Sequence, residues 1–479
     1  MFVFIGGCEK SFLDLDPPYT QDAENYFNTA DDYEQALIGA YDLLQASYLT
    51  VWIGEIASDN SIAGGESVTD SKGLHEIDEM NHGGVNSELQ SVFRWYYAGI
   101  ARCNYILEPK DNNLEFDGKA SVVAQTKFLR AYYYFELVKF FGDVPLIVDE
   151  RIGPDDAASI GRTPKNEVYT QIEQDLLDAS ADLEWMAMEK GRVTKGAALS
   201  LLGKVYLYQD KFAEAASTLD QVISSGNYSL IADYNNLFSV ANEGHSETVF
   251  DVEFSGLEGG SYECLICLEG NATPGFHGIR QYNGPIYGDG NSYNLPTQDL
   301  YDAFGGSDLR RTATILAIDA FILTQPNPAS ITYAQGGGGH TGLYNNKYIK
   351  RIGEIGLPDN DLTSPVNYRV IRYADVLLMA AEAHNRSGND GTALTYLNDV
   401  RTRVSMPNIT SGGSALTEDI WLERRFELSG EGHRFFDLVR TGQASANIEG
   451  FNAGQHEVFP LPQLEIDLSG GSLNQNPNY

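Results

Sequence analysis

Apolar positions recur at helical spacing through much of the chain. Leu37, Ala40, Tyr41 and Leu44 fall on one face of the segment 30–47, and Thr29 and Asp31 in front of it are capping types, which predicts an amphipathic helix. Further helices are expected over 88–107 and 122–140. The second carries Phe128, Tyr132 and Phe135 on a stripe and is stopped by Gly142 and Pro145. Trp95, Trp185 and Trp421 lie on helical stretches and are assigned to the core.

From 195 to 226, Leu199, Leu202, Gly203 and Tyr206 precede a turn at 209–211 and then Ala215 and Leu219, a spacing that matches tetratricopeptide repeats. The arrangement returns as Leu377, Ala380, Ala381 and His384 followed by Ala393 and Leu397. Gly203, Ala215, Ala381 and Ala393 are small enough for antiparallel helices to approach closely, and such pairs stack laterally. Between the two copies, 228–367 is rich in Gly, Asn, Pro and Tyr and reads as an insertion, with short β-like runs at 248–254 and 331–334 and a glycine loop at 336–342. A second polar, Gly-rich stretch covers 58–86. The expected fold is therefore all-α in its main part, with helix pairs as scaffold and a large irregular insertion carrying short strands. Its expected parts are a residual leader at 1–8, helical pairs at 9–227, the ligand-binding insertion at 228–367 and a C-terminal pair at 368–479. Long loops on a packed scaffold are where binding sites usually lie.

Charge narrows the partner. Sixty-seven acidic against thirty-two basic side chains leave a formal charge of −35, which opposes phosphate neutralisation and excludes nucleic acid. Uronates and sulfates are disfavoured for the same reason, so a neutral ligand fits better. Twenty-eight tyrosines and forty-eight glycines supply flat rings with a polar tip and the loops to carry them. No apolar run approaches the roughly eighteen residues of a membrane-spanning helix, so any membrane link is expected to be an anchor. Ile5, Gly6 and Gly7 before Cys8 resemble a bacterial lipobox. Cys8 is accordingly the expected lipidation site, with two or more acyl chains needed for stable attachment.

Cys264 and Cys267 form a lone CxxC, and neither His245 nor His277 has finger-type spacing to it, so no metal is expected there. A local disulfide and two inert thiols both stay open, and Cys103 receives no role. Gly337, Gly339 and Gly342 satisfy GxGxxG without a helix opening behind them, which argues against a dinucleotide. P-loop, HExxH and GxSxG signatures are absent. No cofactor is expected; structural calcium near Asp289 would lack EF-hand spacing. Glu423, Glu427 and Glu431 recur every four residues among Arg424, Arg425, Arg434 and Arg440, interleaved with Phe426, Phe435 and Phe436. The pattern suits an acid–base cluster, but a helix-to-helix ion-pair clamp around an aromatic core requires the same residues and is preferred. The chain is not expected to be an enzyme.

The segment ERRFELSGEGHRFFDLVRTG, 423–442, resembles the signature of the SusD/RagB family of Bacteroidetes outer-membrane nutrient-binding lipoproteins. FLDLDP after Cys8, FLRAYYYFELVKFFGDVPL at 128–146, RYADVLLMAAEAHNRSG at 372–388, FPLP at 459 and the closing QNPNY add to it, so the resemblance runs from end to end. It implies helix pairs with an irregular ligand-binding side, an outer-membrane lipid anchor facing the cell surface, and a SusC-like TonB-dependent transporter as partner.

A sugar ring offers a C–H face to aromatic planes and a hydroxyl edge to amides, carboxylates and guanidinium groups. One stack burying roughly 40 Å² is worth on the order of 1 kcal/mol, so micromolar affinity, about 8 kcal/mol, requires several stacks and favours oligo- or polysaccharide. The candidate platform is Tyr282, Tyr287 and Tyr293 in RQYNGPIYGDGNSYNLP, with Arg280, Gln281, Asn283 and Asn291 as edge partners. The resemblance adds the loop after the first helices, hence Trp52, Asp59, Asn60 and His75. A neutral β-glucan such as laminarin is the suggested ligand, with starch- or xylan-like chains open. The alternatives are a tetratricopeptide scaffold holding a protein segment and a glycoside hydrolase.

Overall fold

Thr29 opens the first helix of the computed structural model, which describes residues 26–108, 114–148, 152–153, 159–257, 269–354 and 362–479. Its hydroxyl accepts the Asp32 N–H at 3.3 Å, and the Asp32 carboxylate accepts the Thr29 N–H at 2.7 Å. This reciprocal cap starts the helix Ala30–Asp42. The expected continuation to residue 47 tightens instead into a 3-10 turn, Leu43–Ser47, before a separate helix, Tyr48–Ile56. Every residue of that second helix is buried, so it has no polar face by which a periodicity could mark it.

Helices Ser87–Leu107 and Lys119–Phe141 follow the spacing closely. The latter is enclosed on all sides rather than striped, and its buried charges are paired: Arg130 donates to Asp175 at 2.7 and 2.8 Å, and Lys139 lies 2.7 Å from Glu136. A further helix escaped the pattern reading. Lys165–Asp182 buries Val168, Ile172 and Leu176 and packs between Lys119–Phe141 and Lys195–Leu207. Trp185 sits in a bend rather than a helix, and Trp95, Trp185 and Trp421 are all half-buried rather than fully enclosed.

The tetratricopeptide-like pairs are Lys195–Leu207 with Phe212–Ser224, and Tyr373–Arg386 with Asp390–Arg403. At Gly203 a Cβ would stand 2.5 Å from the Leu219 side chain, so the close approach depends on its absence. Phe212–Ser224 packs directly on Tyr373–Arg386. The helical array thus continues across the insertion as though it were not there. An antiparallel ladder of Thr248–Val252 with Tyr368–Arg372 draws the two ends of the insertion together. The other expected β-like run, 331–334, makes only a single bridge, Thr332 to Asn283. The fold is mainly α, with a loop-rich insertion of short helices and two-stranded ladders.

Glu423, Glu427 and Glu431 form the clamp, but their partners come from elsewhere. Arg310 reaches Glu423 at 2.6 Å and Glu427 at 3.0 Å, Arg372 reaches Glu427 at 2.6 Å and Glu431 at 2.8 Å, and Lys347 reaches Glu431 at 2.6 Å. Arg403 also pairs with Glu427. The arginines of the signature look outward from this centre: Arg424 and Arg440 bind Asp375, Asp437 and Glu382, while Arg425 and Arg434 bind Asp59. Burial pushes the Glu427 carboxyl up, yet Arg403, Arg372 and Arg310 together hold it well below its ordinary value. Arg310 and Lys347 belong to the insertion, so this network fastens the loops to the helical array. Cys8, Cys264, Cys267 and the FLDLDP segment lie outside the described residues. Cys103 is buried, with its thiol pushed up by desolvation.

Candidate functional site

Three segments meet on one face of the insertion. Ser61–Ala63 pairs antiparallel with Asn294–Pro296, and Ile315–Ala317 pairs with Leu343–Asn345. The glycine run then lies across the extension of the first ladder: Gly337 N–H donates to Glu66 O at 2.8 Å and Gly338 N–H to Gly65 O at 3.3 Å. A Cβ at Gly336 or Gly338 would fall 2.1 Å from Gly65 O or 2.3 Å from Gly64 O. Backbone meets backbone there, which is why the run is glycine. The polar stretch 58–86 and the insertion are thereby joined into one surface.

The predicted tyrosines separate. Tyr282 and Tyr287, 7% and 8% exposed, point into an apolar cluster with Ile279, Leu295, Leu316, Ile318, Tyr344 and Ile349. The Tyr282 hydroxyl donates to Pro285 O at 3.0 Å and the Tyr287 hydroxyl to Asn346 Oδ1 at 3.3 Å. In this arrangement both rings pack the loop rather than present a platform. Tyr293 stays half-exposed; its hydroxyl donates to Asp70 Oδ1 at 3.1 Å, and its ring leans on Phe276. Arg280 joins it, donating from Nη2 to Asp70 Oδ2 at 3.1 Å and to Asn291 O at 3.3 Å. Asn291 is half-exposed, and Gln281 and Asn283 are exposed on the same loop.

The residues taken from the earlier loop are mostly interior. Trp52, 4% exposed, packs edge-on against Tyr48 and Phe276 and is core, because the helix carrying it is enclosed. Asn60 is fully buried and accepts from Arg425 Nε at 2.9 Å. His75 is buried with Nε2 2.8 Å from Gly64 O, which fixes the turn leading to the glycine strip. Asp59 accepts from Arg434 at 2.7 and 2.8 Å and borders a separate polar cavity of about 850 Å³, with Asp78, Glu79, Thr297, Asp299 and Glu449. Burial raises the Asp78 carboxyl to about 6.

Backbone strain gathers on the loop face. Among the described residues, Ser71, Gln281, Ile286 and Ser292 are four of the eight non-glycine residues at positive φ. Ile286, β-branched at φ 74°, sits in a tight turn closed by Tyr287 N–H to Pro285 O at 2.9 Å, a costly conformation of the kind that collects at ligand-holding loops. Arg280 Nε, the Ser292 and Tyr344 hydroxyls and Asn294 Oδ1 are buried here without a hydrogen bond to the protein. Two rings that the sequence reading did not select adjoin them. Tyr333 and His340 bracket the glycine run, both half-exposed, with centroids 5.9 Å apart and planes at 33°. Their only signal in the sequence is that position at either end of the run.

No group of three or more His, Cys, Asp and Glu is arranged to hold a metal among the described residues, and no helix among them is long and apolar enough to cross a membrane. The family described as SusD family matches residues 223–479. The chain belongs to it. A second SusD-like family, described as starch-binding and associating with the outer membrane, matches residues 11–207. A SusD-like protein of Formosa agariphila is 27% identical over 99% of this chain and 97% of its own. The starch-binding protein SusD of Bacteroides thetaiotaomicron is 25% identical over 74% and 72%. Among solved structures, a laminarin-binding SusD-like protein superposes with a TM-score of 0.85 at 34% identity, covering 94% of this chain and 99% of that one. Surface glycan-binding protein A of B. thetaiotaomicron, in complex with laminarihexaose, gives 0.84 at 25% over 94% and 100%. In this SusD family member the signature glutamates are fully buried and paired with arginines.

Proposed function

We propose that this protein is a cell-surface glycan-binding lipoprotein, held at the outer membrane through Cys8, that captures neutral oligo- or polysaccharide without cleaving it. It delivers the glycan to a SusC-like TonB-dependent transporter. A β-glucan of the laminarin type is the favoured ligand. The observation that carries the reading is the likeness, across nearly the whole chain, to a protein that binds laminarin. The loop face fits such a ligand: the Arg280 guanidinium is matched by Asp70 at 3.1 Å and Glu66 at 3.6 Å, so this face offers no surplus positive charge to a uronate or sulfate. Tyr293, Asn283 and Asn291 supply a ring and amide groups for sugar faces and edges.

Affinity electrophoresis on laminarin, starch, xylan and alginate, run beside a reducing-end assay, tests the reading. Retardation by a neutral glycan without new reducing ends is expected. New reducing ends would make the protein a hydrolase, and migration unaffected by every glycan would favour a protein-binding helical scaffold.

A further inference from the structure

We propose that Tyr333 and His340 are the stacking platform for the glycan, and that the bound chain runs from this ring pair towards Arg280 and Tyr293, engaging at least two consecutive neutral hexopyranose units. The inference rests on the glycan-binding reading and assigns its contact surface. Several half-buried rings in the insertion are already covered on a face: Arg311 lies over Tyr301 at 4.8 Å, and Phe321 is turned edge-on into Tyr287 at 5.1 Å. Tyr333 also packs against the apolar cluster of the insertion, but it and His340 keep part of their surface exposed and are held in place. The Tyr333 hydroxyl donates to Asp319 Oδ1 at 2.9 Å, and the backbone beside it is fixed by Ala334 N–H to Arg280 O at 2.9 Å. The glycine strip between the two rings is bonded along the backbone of residues 65–66.

A platform held this way loses little conformational freedom when a ligand arrives. Polar groups stand at its edge. Gln335 is exposed beside the Tyr333 hydroxyl. Asp319, which accepts from that hydroxyl, is exposed as well. Two ring centroids about 6 Å apart exceed what a single sugar ring covers well, so a pair of linked units is the smallest ligand that uses both.

Calorimetric titration of laminarihexaose into wild type and into a Tyr333→Ala/His340→Ala double variant decides the matter, with thermal unfolding on each. The double variant is expected to bind at least tenfold more weakly with a melting temperature close to wild type, whereas Tyr333→Phe, which keeps the ring, stays within about threefold. If the double variant does not fold, His340→Ala alone carries the test, with at least a threefold loss expected. Wild-type affinity in a folded variant lacking either ring overturns the platform and leaves glycan capture standing. A wild-type protein that binds neither laminarihexaose nor any neutral glycan of the panel overturns both.

Discussion

Tyr282 carries its ring into the apolar cluster beneath the insertion and its hydroxyl onto Pro285, while Tyr293 on the same loop keeps part of its ring in solvent. Removing the first ring should therefore cost stability rather than binding: Tyr282→Ala is expected to lose roughly 3 kcal/mol and Tyr282→Phe about 1 kcal/mol, read by denaturant unfolding. Nothing in RQYNGPIYGDGNSYNLP tells the two tyrosines apart, since both flank turn residues and only the path of the folded loop decides which side each faces. Glu55 makes a second residue-level case. Buried against the signature loop, it accepts the Gly432 N–H at 2.8 Å, and burial raises its carboxyl from 4.5 to about 7 despite that bond. A carboxyl raised in the folded state contributes its stability below about pH 4.5 and loses it as pH climbs through 7, an effect of at most about 3 kcal/mol. Glu55→Gln should flatten the fall in melting temperature between about pH 5 and 8. An unchanged profile would mean another group sets that slope.

At the level of elements, the glycine run 336–339 and the signature helix Gly413–Leu428 do related work by different means. The run fixes the insertion to residues 63–67 through backbone contact, and the signature fixes it through Arg310 and Lys347. Gly338→Ala should force the strip off its neighbour and weaken retardation on laminarin while leaving helical circular dichroism intact. Arg310→Ala leaves Glu423 and Glu427 buried with fewer partners and should cost about 3 to 5 kcal/mol, with hydrogen exchange accelerating first in 298–350. The regular repeat of Glu423, Glu427 and Glu431 made an ion-pair clamp legible in the sequence. Its partners were not, because Arg310, Arg372 and Lys347 come from distant segments with no periodic relation to the glutamates.

For the whole molecule, a formal charge of −35 sets the response to salt. Self-repulsion is screened as the Debye length falls from about 10 Å to 3 Å between about 0.1 and 1 M salt, so the melting temperature should rise over that range. Affinity for a neutral glycan should change less than about twofold, and a steep salt dependence of binding would point to a charged ligand. The amino-acid sequence by itself determined the helix pairs, the net acidity and the family, because each is written in local spacing, composition or contiguous motifs. Only the tertiary structure decided that the array continues across the insertion and that Trp52, Tyr282 and Tyr287 turn inward. It alone set Tyr333 and His340 side by side at the ends of a glycine strip. Those outcomes depend on which distant backbones pack together, and a side chain's exposure is a property of that packing rather than of its neighbours in the chain.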